Sequence, residues 1–263
     1  MWTLYYHTDF PERLNYHSFL KEELSKKVTL VNNPEEAEIV FNMGSIHNKG
    51  LIKGKRLTLY LESDDYLYLG RNKEYYKDSD IVYISSKKYL KYYPPHTKLT
   101  FPAINPNFHR ELPVEKRYDF VYIGTLEPLP VYINRLRWLN AFIRVTESIY
   151  IGYGRPETYP LLMSMGKVIL NFLPLDPNTN SAGLNMKITE SMAMGCMLTD
   201  YKDVLDDVAV RGVHYLTIDD FNQKKINEAR INEVKKASRE LVIKNYTFRH
   251  QVDKILNDID EKL

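Results

Sequence analysis

Residues 183–201, GLNMKITESMAMGCMLTDY, contain the residue types that bind a phosphate and a pair of sugar hydroxyls. Residues 184–194 favour a helix, Gly195 is a natural C-terminal cap, and residues 196–199 continue as a strand. A helix that starts directly after a loop of small residues is an anion site, because its N–H groups and its dipole favour phosphate. Glu190 falls about two turns into this helix, where a carboxylate can accept hydrogen bonds from a ribose hydroxyl pair. An ordinary amphipathic helix with a solvated glutamate explains the spacing equally well.

A histidine and several acids follow predicted strands in the N-terminal half and are candidates for a general base. His7 and Asp9 follow the first strand, and Glu62, Asp64 and Asp65 follow a later one. A side chain of either type could remove a proton from an acceptor hydroxyl. A structural histidine–acid pair and a solvated acidic turn are the alternative explanations.

A short acidic pattern resembles a metal site. Asp78 and Asp80 flank Ser79, and two carboxylates together with phosphates suit Mg²⁺ or Mn²⁺. The pattern precedes a predicted strand, however, where capping acids are common. The single cysteine, Cys196, excludes a cysteine-rich metal site. We therefore expect no metal.

Residues 81–110 combine positive charge with aromatic rings and contain no acidic residue. Basic side chains mixed with aromatic rings suit a polyanion or a flipped base. The segment thus makes nucleic acid a candidate partner, although a solvated helix face next to a strand is the favoured explanation. The residues concerned are Lys87, Lys88, Lys91, Lys98 and Arg110, with Tyr83, Tyr89, Tyr92 and Tyr93.

Short apolar runs that predict strands alternate along the whole chain with amphipathic stretches that predict helices. A helix is predicted over residues 13–26, where Leu14, Phe19, Leu20 and Leu24 can share one face. This alternation is typical of parallel sheets covered by helices, an α/β fold, whose ligands bind at the carboxyl ends of the strands. Strands are predicted at residues 2–6, 38–42, 56–61, 80–84, 120–123, 148–151, 167–171, 196–199 and 214–217.

A stretch rich in proline and charge, residues 105–118, interrupts the apolar pattern and predicts a domain boundary. We expect an N-terminal domain at residues 1–112 and a C-terminal domain at residues 113–246. A final helix at residues 247–263 could pack back on the N-terminal domain. A ligand would then bind in the crevice between the two halves.

The motif at residues 183–195 resembles the donor-binding signature of the glycosyltransferase families allied to the spore-maturation protein CgeB and to the group 1, or GT4-type, transferases. In those families a glycine, an aliphatic residue, an asparagine, an arginine and a glutamate precede Ala-x-Gly and a strand. Lys187 stands where the families have the arginine. A lysine ammonium cannot form the two parallel hydrogen bonds to a phosphate that a planar guanidinium forms. The matching residues are Gly183, Leu184, Asn185, Lys187, Glu190, Ala193 and Gly195.

Further segments resemble these families in the same order along the chain. Residues 118–125, YDFVYIGT, resemble the first strand and glycine turn of the donor domain. Arg135 and Leu136 resemble the pair in the following helix, and residues 149–154, IYIGYG, the next strand and turn. Residues 246–256, YTFRHQVDKIL, resemble the closing helix. The resemblance covers most of residues 100–260 and is weaker before them.

The resemblance implies an α/β fold of GT-B architecture, with two Rossmann-like domains that face each other across a cleft. The N-terminal domain would receive the acceptor, and the C-terminal domain would bind a nucleotide sugar. The implied activity moves a sugar from that donor to an unidentified acceptor without a metal or other cofactor, with UDP-glucose as the default donor.

The resemblance also implies roles for single residues. The diphosphate would lie on Asn185 and the helix start, Glu190 would bind the ribose, and Arg135 or Lys187 would neutralise the leaving diphosphate. A glycine lets the backbone approach the phosphates or the sugar, because it has no Cβ. The remaining donor-binding residues implied are Gly124, Thr125, Gly152, Tyr153, Gly183 and Leu184.

On the acceptor side the resemblance favours Asp64 or Asp65 as the base, with His7 and Asp9 as rivals. Retaining group 1 transferases carry a second glutamate eight residues before the ribose glutamate. Ala182 occupies that position here, so the stereochemical outcome stays open.

Composition limits the classes of protein. The 263 residues carry a net charge of +2, which gives no general attraction to a polyanion. No apolar run approaches the roughly 20 residues that span a bilayer, and charge comes too early for a signal peptide, so a cytoplasmic location is expected. The alternatives are a phage-type transferase that glycosylates a modified DNA base, a non-catalytic sugar-nucleotide-binding protein, and an epimerase or hydrolase that acts on the donor alone.

Overall fold

Parallel strands and helices alternate along the chain in this computed structural model, as the sequence predicts. The structure describes residues 2–8, 16–44, 50–62, 73–173, 184–200, 203–222 and 226–263. The chain divides into two compact units: Met1–Phe101 with Phe248–Leu263 (unit 1), and Pro102–Thr247 (unit 2). Four of the predicted site residues lie outside the described residues: Asp9, Asp64, Asp65 and Gly183.

The described part of unit 1 contains a parallel sheet in the order β2-β1-β3-β4-β5-β6. Strands β3, β4 and β5 are buried at every position, the pattern of a parallel sheet covered on both faces. The strands are β1 (Thr3–His7), β2 (Thr29–Leu30), β3 (Ile39–Met43), β4 (Leu57–Leu61), β5 (Ile81–Ile84) and β6 (Thr97–Leu99).

Two helices of unit 1 lie between these strands in the sequence, α1 (Tyr16–Ser25) and α2 (Lys73–Lys77). Helix α1 buries Tyr16, Phe19, Leu20 and Leu24, which recur at the spacing of one helical face. The amphipathic helix predicted over residues 13–26 is therefore confirmed within the described residues.

The described part of unit 2 contains a second parallel sheet, in the order β11-β10-β9-β7-β8. Its strands are β7 (Tyr118–Ile123), β8 (Ile149–Gly152), β9 (Gly166–Leu170), β10 (Cys196–Thr199) and β11 (Leu216–Thr217). Its helices are α3 (Ile133–Val145), α4 (Tyr159–Ser164), α5 (Met186–Met194), α6 (Ile218–Asn222) and α7 (Glu228–Asn245).

Strand β7 lies between β9 and β8 in this sheet, and its side chains pack on both faces. Phe120 and Tyr122 pack in one apolar cluster with Phe142 of α3, while Val121 and Ile123 pack in another. Successive side chains of a strand point to opposite faces, so both faces of the sheet are covered. The α/β class predicted from the alternation is confirmed.

The last helix, α8 (Phe248–Lys262), belongs to unit 1 although it follows unit 2 in the sequence. The ring of Phe248 lies 5.0 Å from that of Tyr16 and 5.7 Å from that of Phe19 in α1. The buried Gln251 amide donates hydrogen bonds to the Tyr16 hydroxyl and to the Thr100 hydroxyl. Helix α8 therefore completes the core of unit 1. No helix in the described ranges is both long and apolar enough to cross a membrane.

Candidate functional site

Several predicted site residues meet at the carboxyl edge of the unit 2 sheet. Gly124 follows β7, and its N–H donates a hydrogen bond to the carbonyl of Gly152, the last residue of β8, at 2.9 Å. Lys187, in the first turn of α5, donates through Nζ to the carbonyl of Ile123 at 2.8 Å. The ends of two strands and the start of a helix are thus joined by hydrogen bonds, in the place where parallel α/β sheets bind ligands.

Asn185 is the N-cap residue of α5, but its side chain does not cap the helix. Its Oδ1 is buried and has no hydrogen-bond partner among the described residues. Asn227 holds the same position at the start of α7, and there Oδ1 accepts the N–H of Arg230 at 2.9 Å. The start of α5 therefore keeps an acceptor that an ordinary helix start uses for itself.

Lys187 is a partly buried cation that lies close to an aromatic ring. Its Nζ lies 5.4 Å from the centre of the Tyr159 ring. Burial lowers the pKa of Lys187 to about 8, while the negative charge of Glu190 acts in the opposite direction and the guanidinium of Arg135 lowers the pKa further. A bound anion would stabilise the protonated form of this side chain.

Arg135, in the first turn of α3, is a second cation at this edge, and this one is buried. Its Nε donates to the carbonyl of Phe172 and its Nη1 to the carbonyl of Thr125, both at 3.2 Å. The guanidinium lies 4.4 Å from the centre of the Tyr132 ring. No carboxylate in the described part of the chain pairs with Arg135, so none of those residues neutralises its charge.

Glu190 is the acidic residue of this site and is only 9% exposed. One carboxylate oxygen, Oε1, lies 3.6 Å from Nε2 of His109. The other, Oε2, is buried and has no hydrogen-bond partner among the described residues. A buried carboxylate oxygen without a donor is unfavourable by about 1–3 kcal/mol or more, and a ligand hydroxyl at that position would relieve the cost.

His109 is a site residue that the sequence analysis did not identify. It lies in a turn in which its N–H donates to the carbonyl of Asn105 at 2.7 Å. The sequence INPNFHR indicates a turn but gives no spacing that connects His109 to Glu190, which is far along the chain. Only the tertiary structure brings the two together.

The glycines at the strand ends are required by close approach. A Cβ on Gly124 would lie 2.5 Å from the Tyr122 hydroxyl and 2.9 Å from Nζ of Lys187. Such distances are shorter than real Cβ contacts, so Gly124 makes room for the lysine. Thr125 contributes its carbonyl, as the acceptor for Arg135, and Tyr153 after β8 is 75% exposed at the surface.

Two candidates for the general base in unit 1, His7 and Glu62, already contact other residues of the protein. His7, at the end of β1, is buried, and its Nε2 lies 3.1 Å from the carbonyl of Gly50. Glu62 follows β4 and is buried, with Oε2 accepting hydrogen bonds from the hydroxyls of Tyr76 at 2.9 Å and Tyr60 at 3.3 Å. The structure gives no position for the other three candidates, Asp9, Asp64 and Asp65.

The Asp-Ser-Asp pattern, residues 78–80, has a structural role at the start of the neighbouring strands β4 and β5. Asp80 accepts the N–H of Thr58 through Oδ2 at 2.7 Å, and Asp78 lies 3.4 Å from Nζ of Lys53. Within the described ranges, no group of three or more histidine, cysteine, aspartate or glutamate side chains is placed to hold a metal ion.

The basic, tyrosine-rich segment is largely part of the unit 1 core. Tyr83, Tyr89 and Tyr93 are buried, while Tyr92 is 60% exposed. Lys98 pairs with Asp258 at 2.7 Å and with Glu261 at 2.9 Å. Three of the four rings are therefore not available to stack on a base, and one of the five cations is neutralised.

A cavity of about 860 Å³ lies at the opposite, amino-terminal edge of the unit 2 sheet, above Phe120 and Phe221. Its rim contains lysines that are paired with acids: Lys167 with Asp119 at 2.8 Å, and Lys116 and Lys235 with Glu111 at 2.6 and 3.0 Å. The cavity does not include the side chains predicted to bind a donor.

Comparisons with known structures show the fold. The HepE protein of Anabaena, in a crystal structure with UDP and glucose, matches with a TM-score of 0.65 and 10% identity over 99% of each chain. Sucrose-phosphate synthase from Thermosynechococcus elongatus matches with a TM-score of 0.61 and 11% identity over 92% of this chain and 77% of that one. A glycosyltransferase from Rickettsia africae matches with a TM-score of 0.58 and 12% identity over 99% and 98% of the two chains.

The family follows from the sequence itself. A search of curated proteins found no match. Residues 106–257, more than half of the chain, match the family model described as glycosyl transferase-like. The similar solved structures are GT-B glycosyltransferases, so the predicted GT-B class is confirmed. The chain belongs to the glycosyl transferase-like family, in agreement with the resemblance to group 1 transferases.

Proposed function

We propose that this glycosyltransferase takes its sugar from a nucleotide-sugar donor, and that the donor binds at the carboxyl edge of the unit 2 sheet. The observation that carries the proposal is the buried Oε2 of Glu190, which has no hydrogen-bond partner among the described residues. An oxygen in that state is matched by a hydroxyl donor, and the ribose of a nucleotide supplies two adjacent hydroxyls.

The diphosphate would bind at the start of α5. Asn185 makes no capping hydrogen bond there, so its side-chain N–H groups could turn toward a phosphate oxygen and donate to it, and the helix dipole adds a partial positive charge. Lys187, which is partly buried, and Arg135, which is buried, bring two cations to the same edge. A leaving nucleoside diphosphate gains negative charge as the sugar departs, and these groups would stabilise it in place of a metal.

UDP is the nucleotide we propose to test first. HepE has been solved with UDP and glucose and also with UDP-glucose. The pneumococcal O-GlcNAc transferase GtfA, which matches this fold with a TM-score of 0.53, has been solved with UDP and GlcNAc. These likenesses support a UDP-sugar donor, with UDP-glucose as the first choice.

We propose that the general base, which removes a proton from the acceptor hydroxyl, is one of four residues: His7, Asp9, Asp64 or Asp65. For His7 the contact with Gly50 limits the chemistry. A ring nitrogen that faces a carbonyl carries the proton, so Nε2 of a neutral His7 is a donor. Only Nδ1 could then accept a proton from an acceptor hydroxyl. The three aspartates are therefore favoured as the base.

Nucleic acid as the acceptor, through residues 81–110, is the second candidate from the sequence. The burial of Tyr83, Tyr89 and Tyr93 in the unit 1 core supports a structural role for most of that segment. Lys87 and Lys88 are exposed and remain testable. A mobility shift with duplex DNA at low salt that disappears on Lys87→Glu and Lys88→Glu would favour this acceptor over a small molecule.

The donor site is tested by calorimetric titration of UDP, ADP, GDP and CDP into the wild-type chain, Glu190→Ala and a control, Glu240→Ala, on the exposed surface of α7. We expect one or more of the nucleotides to bind wild type and the control equally, and Glu190→Ala at least about tenfold more weakly, since a charge-assisted bond is lost. A wild-type chain that binds none of the four, or an unchanged affinity in Glu190→Ala, would contradict the proposed site. Incubation with UDP-glucose alone, followed by product analysis, separates transfer from epimerisation and hydrolysis.

A further inference from the structure

The turn that carries His109 holds the imidazole ring in one orientation. Nδ1 of His109 accepts the backbone N–H of Asn105 at 3.0 Å. The turn closes on itself, because the N–H of His109 donates back to the carbonyl of Asn105 and the N–H of Asn107 donates to the Asn105 side chain. The ring is buried and does not depend on solvent for its position.

This contact fixes where the ring carries its proton. A backbone N–H can only donate, so Nδ1 must be the acceptor and the neutral ring must carry its hydrogen on Nε2. Nε2 is the atom that faces Oε1 of Glu190, at 3.6 Å. The hydrogen is therefore on the ring nitrogen that lies beside the carboxylate. This distance is longer than a formed hydrogen bond, and we expect it to shorten when a ligand hydroxyl binds the other oxygen of Glu190.

Arg239 of α7 joins the two segments at the level of the backbone. Its Nη1 donates to the carbonyl of His109 at 3.2 Å and to the carbonyl of Ala193 at 2.6 Å. Ala193 lies one turn after Glu190 on α5. The turn with the histidine and the helix with the glutamate are thus held by one guanidinium, which keeps the distance between the two side chains constant.

We propose that His109 is a positioning residue for Glu190: its Nε2–H holds Oε1, which leaves Oε2 aimed at a hydroxyl of the nucleotide ribose. The inference rests on the proposed function, because it assigns Glu190 to the donor. It explains why one oxygen of the carboxylate has a neighbour while the other has none among the described residues.

The two amide side chains separate this role from simple packing. In His109→Gln the amide nitrogen can occupy the place of Nε2 and donate to Glu190. In His109→Asn the shorter amide reaches only the place of Nδ1, so the contact with Asn105 is kept and the donor to Glu190 is lost. His109→Ala removes both, and His250→Gln on the exposed surface of α8 is the control.

The measurement is the dissociation constant of UDP and of 2′,3′-dideoxy-UDP for each variant, with thermal unfolding as a check that each is folded. We expect His109→Ala and His109→Asn to bind UDP about tenfold more weakly than wild type, and His109→Gln to lie within about twofold of it. For dideoxy-UDP, which has no ribose hydroxyls, all variants should match wild type. Equal losses in the Asn and Gln variants, or an equal loss for the dideoxy ligand, would overturn the proposal.

A spectroscopic measurement on the wild-type chain does not depend on any variant. The ¹⁵N shifts of the His109 ring should show the tautomer with the proton on Nε2, and a ring protonated on Nδ1 would overturn the proposal. Failure of the positioning role is distinct from failure of the function. If Glu190→Ala loses UDP binding while His109→Ala retains it, only the role of His109 is wrong.

Discussion

The ammonium group of Lys187 donates a hydrogen bond to the carbonyl oxygen of Ile123 across 2.8 Å, which joins the first turn of α5 to the end of β7. This hydrogen bond uses one of the three N–H donors of the lysine ammonium, and two donors remain for other partners. The side chain is partly buried, and this burial lowers the pKa of its ammonium group to about 8. The behaviour of Lys187 should therefore control how the site responds to pH.

Nucleotide affinity should fall as the pH rises through about 8, the pKa to which burial lowers Lys187. A diphosphate binds the protonated lysine better than the neutral one, so the dissociation constant of UDP should rise by up to about tenfold per pH unit above that value. Lys187→Met should bind weakly with a flat profile between pH 7.5 and pH 9.5. Calorimetric titrations across this range check the prediction, and an equal rise in the Met variant would contradict it.

Without a nucleotide, the pH dependence of stability should have the opposite sign. The folded pKa of Lys187 lies below its ordinary value of 10.5, so the unfolded chain binds more protons between about pH 8 and that value. The contribution of this side chain to the free energy of unfolding should therefore increase with pH across that window. Comparing urea unfolding of wild type and Lys187→Met at both ends of the window isolates this contribution.

Glu190→Gln should lower the pKa of Lys187 further. The glutamate charge is the cause that raises this pKa against the larger effect of burial, and the amide removes the charge while keeping the shape. An NMR titration of the lysine Cε signal measures the change. Glu240→Gln, exposed on α7, is the matched control and should leave the titration of Lys187 where it is in wild type.

Asn185 and Asn227 both stand at the start of a helix, but their substitution by alanine should affect different properties. Asn227→Ala should lower stability, and Asn185→Ala should weaken nucleotide binding. Asn227 caps α7 through Arg230, so its loss should cost about 1 kcal/mol of unfolding free energy. Asn185 caps nothing, so Asn185→Ala should change stability by less than about 0.5 kcal/mol but weaken nucleotide binding. Denaturant unfolding and UDP titration of both variants test this, and a larger stability loss for Asn185→Ala would be inconsistent with the structure.

Gly124→Ala should destabilise unit 2 by about 1–3 kcal/mol, because the new Cβ would lie 2.5 Å from the Tyr122 hydroxyl and 2.9 Å from Nζ of Lys187. Combining it with Tyr122→Phe removes the shortest of these contacts, although the ring carbon Cζ at 2.9 Å remains, and should recover part of the loss. A double-mutant cycle of urea unfolding gives the coupling. Additive losses would show that the hydroxyl is not the obstacle.

Phe142→Ala should cost about 3–5 kcal/mol of unfolding free energy. The ring is 2% exposed and lies 4.9 Å from that of Phe221 and 5.2 Å from that of Phe120. Its neighbour Ile143 is 53% exposed on the same helix and is the matched control. Ile143→Ala should change stability by less than about 0.5 kcal/mol, and a similar cost for both would be evidence against this core.

The strands that could be predicted from the sequence are those with an unbroken apolar run. Strand β10 has the predicted bounds, and β3 and β9 are shifted by one residue. Strands β2 and β6 were not predicted. They have two and three residues respectively, none of them buried, so they show no apolar run and exist only because a neighbouring strand supplies their hydrogen bonds.

The same distinction holds for the candidate site: residues that form a local motif could be predicted from the sequence, and residues that meet only in the tertiary structure could not. Asn185, Lys187 and Glu190 lie within one helical turn or two of each other, so a motif can indicate all three. His109 could not be found, because its relation to Glu190 depends on a turn and a guanidinium far apart in the sequence. The tyrosines of residues 81–110 show the converse, since their composition suggested a surface while the structure buries three of four.

The position of α8 has a consequence for synthesis on the ribosome. Every residue of unit 2 leaves the exit tunnel before residues 248–263, which unit 1 needs to cover Tyr16 and Phe19 of α1. Unit 1 is therefore translated first, but its core can be completed only after all of unit 2 has been synthesised. Until residues 248–263 have emerged, a nascent unit 1 must keep its apolar α1 face from aggregating, while unit 2 has all of its own residues available for cotranslational folding.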